Sequence, residues 1–145
     1  KCILTRQESL ARAQQAEDLN TPATRIAVMK GSTSEDFVKT LLPQATVMLT
    51  DSSAAAVDLV KSDQAGGMLT DYPICMSSLK NHPEAGFVSL FSLLSYEPIG
   101  IALPGNDPLF VNWTENFLMR MEALGALDEI GKRWFGEYAE AMQSE

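Results

Sequence analysis

The apolar positions of the first eighty residues fall into short runs, each followed by a stretch of helical spacing. Residues 26–29, Ile-Ala-Val-Met, lie between Arg25 and Lys30, and so short a run suits a strand covered on both faces better than a helix. Gly31 then permits a tight turn, and Ser32 with Glu35 has the Ser-x-x-Glu spacing of a capping box, so a helix is expected over 36–42, stopped by Pro43. Val47, Met48 and Leu49 mark a second strand over 46–50. Asp51-Ser52-Ser53 opens an alanine-rich helix over 54–62, in which Ala56, Leu59 and Val60 keep helical spacing. A third strand over 65–70 contains Gly66 and Gly67, which allow close backbone packing, and ends at Asp71; Pro73 sits in the first turn of a helix ending near Asn81-His82-Pro83. Three consecutive βα units predict an α/β fold with a parallel sheet and right-handed crossovers.

The flanks read differently. Cys2-Ile3-Leu4 is a short extended run, 7–15 is polar and helix-tolerant, and 16–22 suggests a short helix or turn. Beyond Pro83 the runs 87–91 and 98–103 look like strands without a helix between them. A helix over 107–124 carries Phe110, Trp113, Phe117, Leu118 and Met121 at helical spacing. A second helix over 127–135 carries Ile130 and Trp134 on one face. Such an aromatic and methionine stripe is expected to be core. His82 reads as a helix C-terminal residue and 137–145 as a polar, loosely held end.

Composition narrows the possibilities. The 145 residues are 46% hydrophobic and 21% charged, enough to bury a substantial core. A formal charge of -8 and a pI near 4.6 argue against nucleic acid as a partner, which needs a basic face. No apolar run reaches the length of about 18 residues that spans a bilayer. The sequence begins Lys-Cys-Ile-Leu, without Met or a signal peptide, which reads as a mature product, an excised piece or a proteolytic fragment.

Candidate chemistry is sparse. Cys2, Cys75 and the single His82 form no metal-ligand pattern and no cysteine-histidine catalytic set, so no metal, cofactor or catalytic residue is expected. The two cysteines read as small buried hydrophobes, with a bridge in an oxidising compartment as the alternative. Ligands of parallel sheets lie beyond the carboxyl ends of the strands, and those ends carry Ser32 and Thr33, then Asp51 and Ser52, then Asp71. The helix start at Gly31-Ser32-Thr33 offers backbone N–H groups and hydroxyls to a carboxylate or phosphate. The plainer reading of the same residues is that every βα turn needs a cap and a glycine.

Four segments in order, Val-Met-Lys-Gly-Ser-Thr-Ser-Glu-Asp-Phe (28–37), Gly-Gly-Met-Leu-Thr-Asp-Tyr-Pro (66–73), Glu-Pro-Ile-Gly-Ile-Ala-Leu (97–103) and Trp-Phe-Gly (134–136), resemble the extracellular solute-binding proteins of family 3, which serve amino-acid ABC transporters. The resemblance covers about three quarters of the chain. It implies the second lobe of a type II periplasmic-binding fold, a three-layer α/β lobe with a mainly parallel sheet, plus C-terminal helices. Residues 1–24 would be a hinge strand and lead-in, 25–103 the ligand-binding lobe ending in a second hinge strand, and 104–145 helices docking on a first lobe that the match does not cover. The resemblance further implies that Thr33, with Gly31 and Ser32 beside it, holds a ligand carboxylate and that Asp71 pairs with its ammonium. The implied protein is a non-catalytic, periplasmic or otherwise extracytoplasmic receptor. It closes on an amino acid, docks on a membrane permease, and self-associates as an isolated lobe. Two alternatives share the fold: a cyclohexadienyl dehydratase-like enzyme using Glu97 or Asp71 as acid or base, and a ligand-sensing module of a receptor.

Overall fold

The computed structural model describes residues 1–90 and 100–136. Two units divide the chain, Lys1–Tyr96 and Glu97–Glu145.

The first unit is an α/β layer structure. Its elements are β1 (Cys2–Thr5), α1 (Glu8–Ala11), α2 (Ala16–Leu19), β2 (Arg25–Met29), α3 (Thr33–Leu41), β3 (Thr46–Thr50), α4 (Ser53–Lys61), β4 (Gly67–Thr70), α5 (Tyr72–Asn81) and β5 (Val88–Leu90). The sheet order is β3-β2-β4-β1-β5. β2 is parallel to β3 and to β4, whereas β1 is antiparallel to both its neighbours, so β1 alone runs against the other strands. The three expected βα units are therefore present and in order.

Right-handed crossovers decide which helix covers which face. The step from β2 to β3 and the step from β3 to β4 go in opposite directions along the sheet, which puts α3 and α4 on opposite faces. Side chains fit this division: Ile3, Ile26, Val28, Leu69 and Leu90 form one buried cluster with Leu10, Leu19, Val38 and Leu42 of the α1 to α3 side. Their strand neighbours Cys2, Leu4, Ala27 and Met68 are also buried and point the other way, because successive strand residues alternate. Cys2 bonds to Cys75 of α5, so α5 lies on that second face. With helices on both sides, β1, β4 and the centre of β2 are buried on both faces, which is why their sequences are nearly continuous in apolar residues, whereas β3 and β5 are partly exposed.

Gly67 lies where β1 approaches β4; a Cβ there would stand 3.0 Å from Ile3 Cγ2 and 3.3 Å from the Leu4 carbonyl oxygen. The expectation of close packing at the glycine pair holds. Gly31 has φ of 73°, the left-handed region that lets β2 turn into α3. The turn is held by Glu35, whose carboxylate accepts from the Gly31 N–H at 2.6 Å and from Lys39 Nζ at 2.5 Å, while Ser32 Oγ accepts from the Glu35 N–H at 3.4 Å. The cap is thus reciprocal, with Glu35 reaching one residue further back than a standard capping box.

Lys39 first and the Gly31 N–H second hold the Glu35 carboxyl below the usual carboxylate range. A carboxyl whose folded pKa is depressed contributes stability above its unfolded pKa and loses it as the pH falls through the folded value. Glu35→Gln is therefore expected to lower the melting temperature at pH 7, with the gap to wild type closing below a pH of about 4. Melting curves between pH 3 and pH 8 (roughly the carboxylate range and above) check this, and a gap independent of pH would show that the charge is irrelevant.

The second unit contains α6 (Pro108–Ala123) and α7 (Ala126–Phe135), close to the expected helices. Asp107 caps α6, accepting from the Phe110 N–H at 2.9 Å. Its aromatic stripe departs from the core that its periodicity predicts, whereas the self-association expected of an isolated lobe calls for Phe110, Trp113 and Phe117 to be exposed, as they are. Phe110, Trp113 and Phe117 stack along one face with ring centroids 6.0 and 5.5 Å apart, yet neither helix has a buried residue, and Trp113 and Trp134 are 60% and 65% exposed. Two helices cannot enclose an apolar stripe that a globular core would need further elements to cover. The strand expected over 98–103 is absent from its described part, since residues 100–103 are not in a strand. Its first part and the polar end over 137–145 lie outside the described residues. No helix among the described residues is long and apolar enough to cross a membrane.

Candidate functional site

In the sheet order, β2 and β4 are neighbours, but α3 leaves β2 on one face and α5 leaves β4 on the other. Their carboxyl ends therefore form a topological switch point, the place where open α/β sheets leave a crevice for ligands. Ser32 and Thr33 follow β2 there, and Asp71 follows β4. A cleft of about 160 Å³ opens at this point, lined by Met29, Ser32, Ser53, Leu69, Asp71 and Ile74 among others. Sites for whole small molecules occupy roughly 300 to 1,000 Å³, so this cleft is the size of a partial site.

Each expected residue can now be placed. Ser32 is the N-cap of α3 and lines the cleft. Thr33 is the first residue of α3, where the helix leaves N–H groups without intrahelical acceptors and its dipole favours an anion. The Gly31 N–H, in contrast, is already given to Glu35. Asp71 stands at the N-cap position of α5 in an extended conformation, its side chain making no cap hydrogen bond and remaining 49% exposed. Asp51 is not part of this arrangement. Ser53 reaches the cleft from beyond the end of β3, and the cap of α4 is Ser52, whose Oγ accepts from the Ala55 N–H at 3.1 Å. The serine wins the cap because its position, one residue before the helix, puts its oxygen over the N–H two to three residues on.

One participant is not visible in the sequence pattern. Because β1 runs against β4, pairing Cys2 with Thr70, it delivers Lys1 to the carboxyl end of β4. Lys1 Nζ donates to Thr33 Oγ1 at 2.5 Å and to Asp71 Oδ1 at 2.6 Å, with its side chain fully buried. Thr33 and Asp71, 38 residues apart in the sequence, are thereby joined through one ammonium. Only the direction of β1 creates this contact, and no local spacing around Lys1 announces it.

The disulfide reinforces the arrangement. Cys2, next to Lys1, is bridged to Cys75 in the first turns of the helix that Asp71 opens, with Cα atoms 6.6 Å apart. The two cysteines are therefore bridged and not the separate buried thiols expected from the sequence. Sequence spacing could not bring residues 73 apart to bonding range, but the antiparallel pairing of β1 with β4 does. Among the described residues, no group of three or more His, Cys, Asp or Glu could hold a metal ion.

No known family profile matches the chain. A glutamine-binding protein of an ABC transporter from Bacillus subtilis is 28% identical over 117 residues, which are 79% of this chain and 41% of that protein. The crystal structure of an ancestral amino-acid-binding protein, described as a precursor of cyclohexadienyl dehydratase, is 31% identical with a TM-score of 0.72, over 92% of this chain and 56% of that one. A binding component of an ABC transporter from Wolinella succinogenes, complexed with lysine, is 29% identical with a TM-score of 0.82, over 92% of this chain and 57% of that one. In sequence and in fold, the chain is similar to the amino-acid solute-binding proteins of family 3 across most of its own length and about half of theirs.

Proposed function

We propose that this chain is one lobe of a two-lobed, extracytoplasmic receptor that binds an amino acid and delivers it to an ABC-type permease, without catalysing a reaction. The observation that carries the reading is the switch-point cleft, which Ser32 at the α3 N-terminus and Asp71 ahead of α5 both line, with Thr33 joined to Asp71 through Lys1. An amino acid has complementary groups. Its carboxylate suits the positive end of α3 and the Thr33 hydroxyl, and its ammonium suits the half-exposed oxygen atoms of Asp71. The partial size of the cleft supports a ligand shared with a second lobe, enclosed by hinge closure. The names of the relatives, which speak of glutamine and lysine, support an amino acid over a phosphate ligand.

An enzyme of the dehydratase kind is the second reading, favoured by the description of one structural neighbour as a precursor of such an enzyme. Of its candidate acids, Asp71 is engaged by Lys1, and Glu97 lies outside the described residues. Calorimetry on the full-length protein with glutamine, lysine, arginine and glutamate is expected to show saturable binding of at least one, and no turnover of prephenate or arogenate. Turnover without amino-acid binding would replace the receptor by the enzyme.

The chain by itself is expected to bind these amino acids at least about 100-fold more weakly, since half the contacts and the closure are missing. The exposed Phe110, Trp113 and Phe117 face is expected to drive self-association of the isolated chain. Sedimentation with and without Trp113→Ser checks the second point. A strictly monomeric chain that binds an amino acid as tightly as the full-length protein would sink the one-lobe reading.

A further inference from the structure

We propose that Lys1 is a specificity-determining residue, a built-in counterion that lets this half-site accept carboxylates lacking an α-ammonium group as well as amino acids. The inference rests on the amino-acid reading of Ser32, Thr33 and Asp71 given above.

A carboxylate placed to receive a ligand ammonium normally makes that ammonium obligatory. An analogue without it leaves the carboxylate facing the closed cleft with no partner, and sites built on such a contact reject the analogue by about 10⁴-fold or more. Here the contact is already made from inside the protein. Lys1 Nζ lies 2.6 Å from Asp71 Oδ1 and 2.5 Å from Thr33 Oγ1, so both groups assigned to the two ends of the ligand share one resident cation. With Lys1 already beside Asp71, a ligand bearing a hydroxyl in place of the ammonium would not leave that carboxylate without a cation. Asp71 also remains half exposed, which leaves it able to meet a ligand amine when one is present. The cation stands beside the first residue of α3, so it adds to the helix N-terminus as a receptor for the ligand carboxylate, which both ligand classes possess.

The position of Lys1 is built rather than incidental. Its side chain is fully buried, which a lysine seldom is unless paired. The residue after it is tied to α5 by the Cys2–Cys75 bridge and to β4 by strand pairing. The backbone that carries the cation is therefore fixed beside the strand end.

The test uses the full-length protein and ligand pairs that differ at one group: glutamate with (S)-2-hydroxyglutarate, and arginine with its 2-hydroxy analogue. For wild type, the hydroxy acid of the better-binding pair is expected to fall within about tenfold of the amino acid in affinity. In Lys1→Met, which keeps the stem and removes the charge, the preference for the amine is expected to rise at least about 100-fold, because Asp71 then needs the ligand ammonium. Lys1→Arg keeps a cation and is expected to stay close to wild type. Melting curves of all three establish that they are folded. An amine preference equal in wild type and Lys1→Met overturns the inference while leaving the amino-acid reading intact. Binding of hydroxy acids with no binding of amino acids overturns the amino-acid reading and leaves the counterion role standing. Binding of neither class overturns both.

Discussion

Asp71→Asn in the full-length protein is expected to weaken amino-acid binding by about 2 to 5 kcal/mol, the cost of leaving one member of a desolvated charge pair unpaired. Asp51→Asn is expected to stay within about 0.5 kcal/mol, as an exposed substitution away from the site. Both residues follow parallel strands, so the contrast isolates position. Asp71 stands at the switch point between β2 and β4 and lines the cleft, whereas Asp51 is exposed outside it and leaves the cap of α4 to Ser52.

The contact with Lys1 adds a second, smaller effect. Asparagine keeps an oxygen able to accept from Lys1 Nζ but loses the charge opposite a buried ammonium. For a fully buried pair, removing one partner costs about 3 to 5 kcal/mol. Asp71 is half exposed, and water screens the remaining charge, so a loss of about 1 kcal/mol in stability is expected. Titration calorimetry and thermal melting on the same preparations separate the two effects. Equal affinity in wild type and Asp71→Asn would return the strand-end residues to ordinary capping.

Replacing Cys2 and Cys75 together by serine is expected to cost about 4 kcal/mol in stability, by the loop-entropy relation for a bridge closing this length of chain. The bridge spans a sequence separation of 73 and encloses β2, β3, β4 and the helices between them. Opening it lets the unfolded chain recover that freedom. It also leaves β1, which pairs with β4 and β5, less firmly tied to α5. For a chain of this size the loss corresponds to a drop of roughly 10 °C in melting temperature. Reductant should lower the melting temperature of wild type towards that of the double serine variant and leave the variant unmoved. A wild type indifferent to reductant would mean that the two thiols are not bridged in solution.

The units that build the site were legible because their signals are local. The apolar run 26–29, the left-handed Gly31 and the spacing of Ser32 and Glu35 each act within one turn of helix or one strand, so they specify β2, its turn and α3 without help from the rest of the chain. The same holds for Pro73 in the first turn of α5 and for Asp107 ahead of α6. Placing Ser32, Thr33 and Asp71 at strand ends followed from those elements, and with it the edge of the sheet that carries the candidate site.

Where local rules compete, the sequence was less decisive. Asp51, Ser52 and Ser53 all have side chains able to cap a helix, and backbone geometry selected Ser52. The stripe of Phe110, Trp113 and Phe117 has the period of a core-facing helix, but periodicity states only that a face is apolar and not that anything covers it.

By itself, then, the sequence determined the order of the βα units, the strand ends at which Ser32, Thr33 and Asp71 stand, and the two C-terminal helices. Tertiary structure alone decided that β1 enters the sheet in reverse between β4 and β5, and everything at the site that depends on it. That reversal sets Lys1 between Thr33 and Asp71 and brings Cys2 to Cys75. The reason is physical: strand direction and neighbour are set by which buried faces and backbone partners remain open once the other strands have paired, a property of the assembled sheet that no window of neighbouring residues contains.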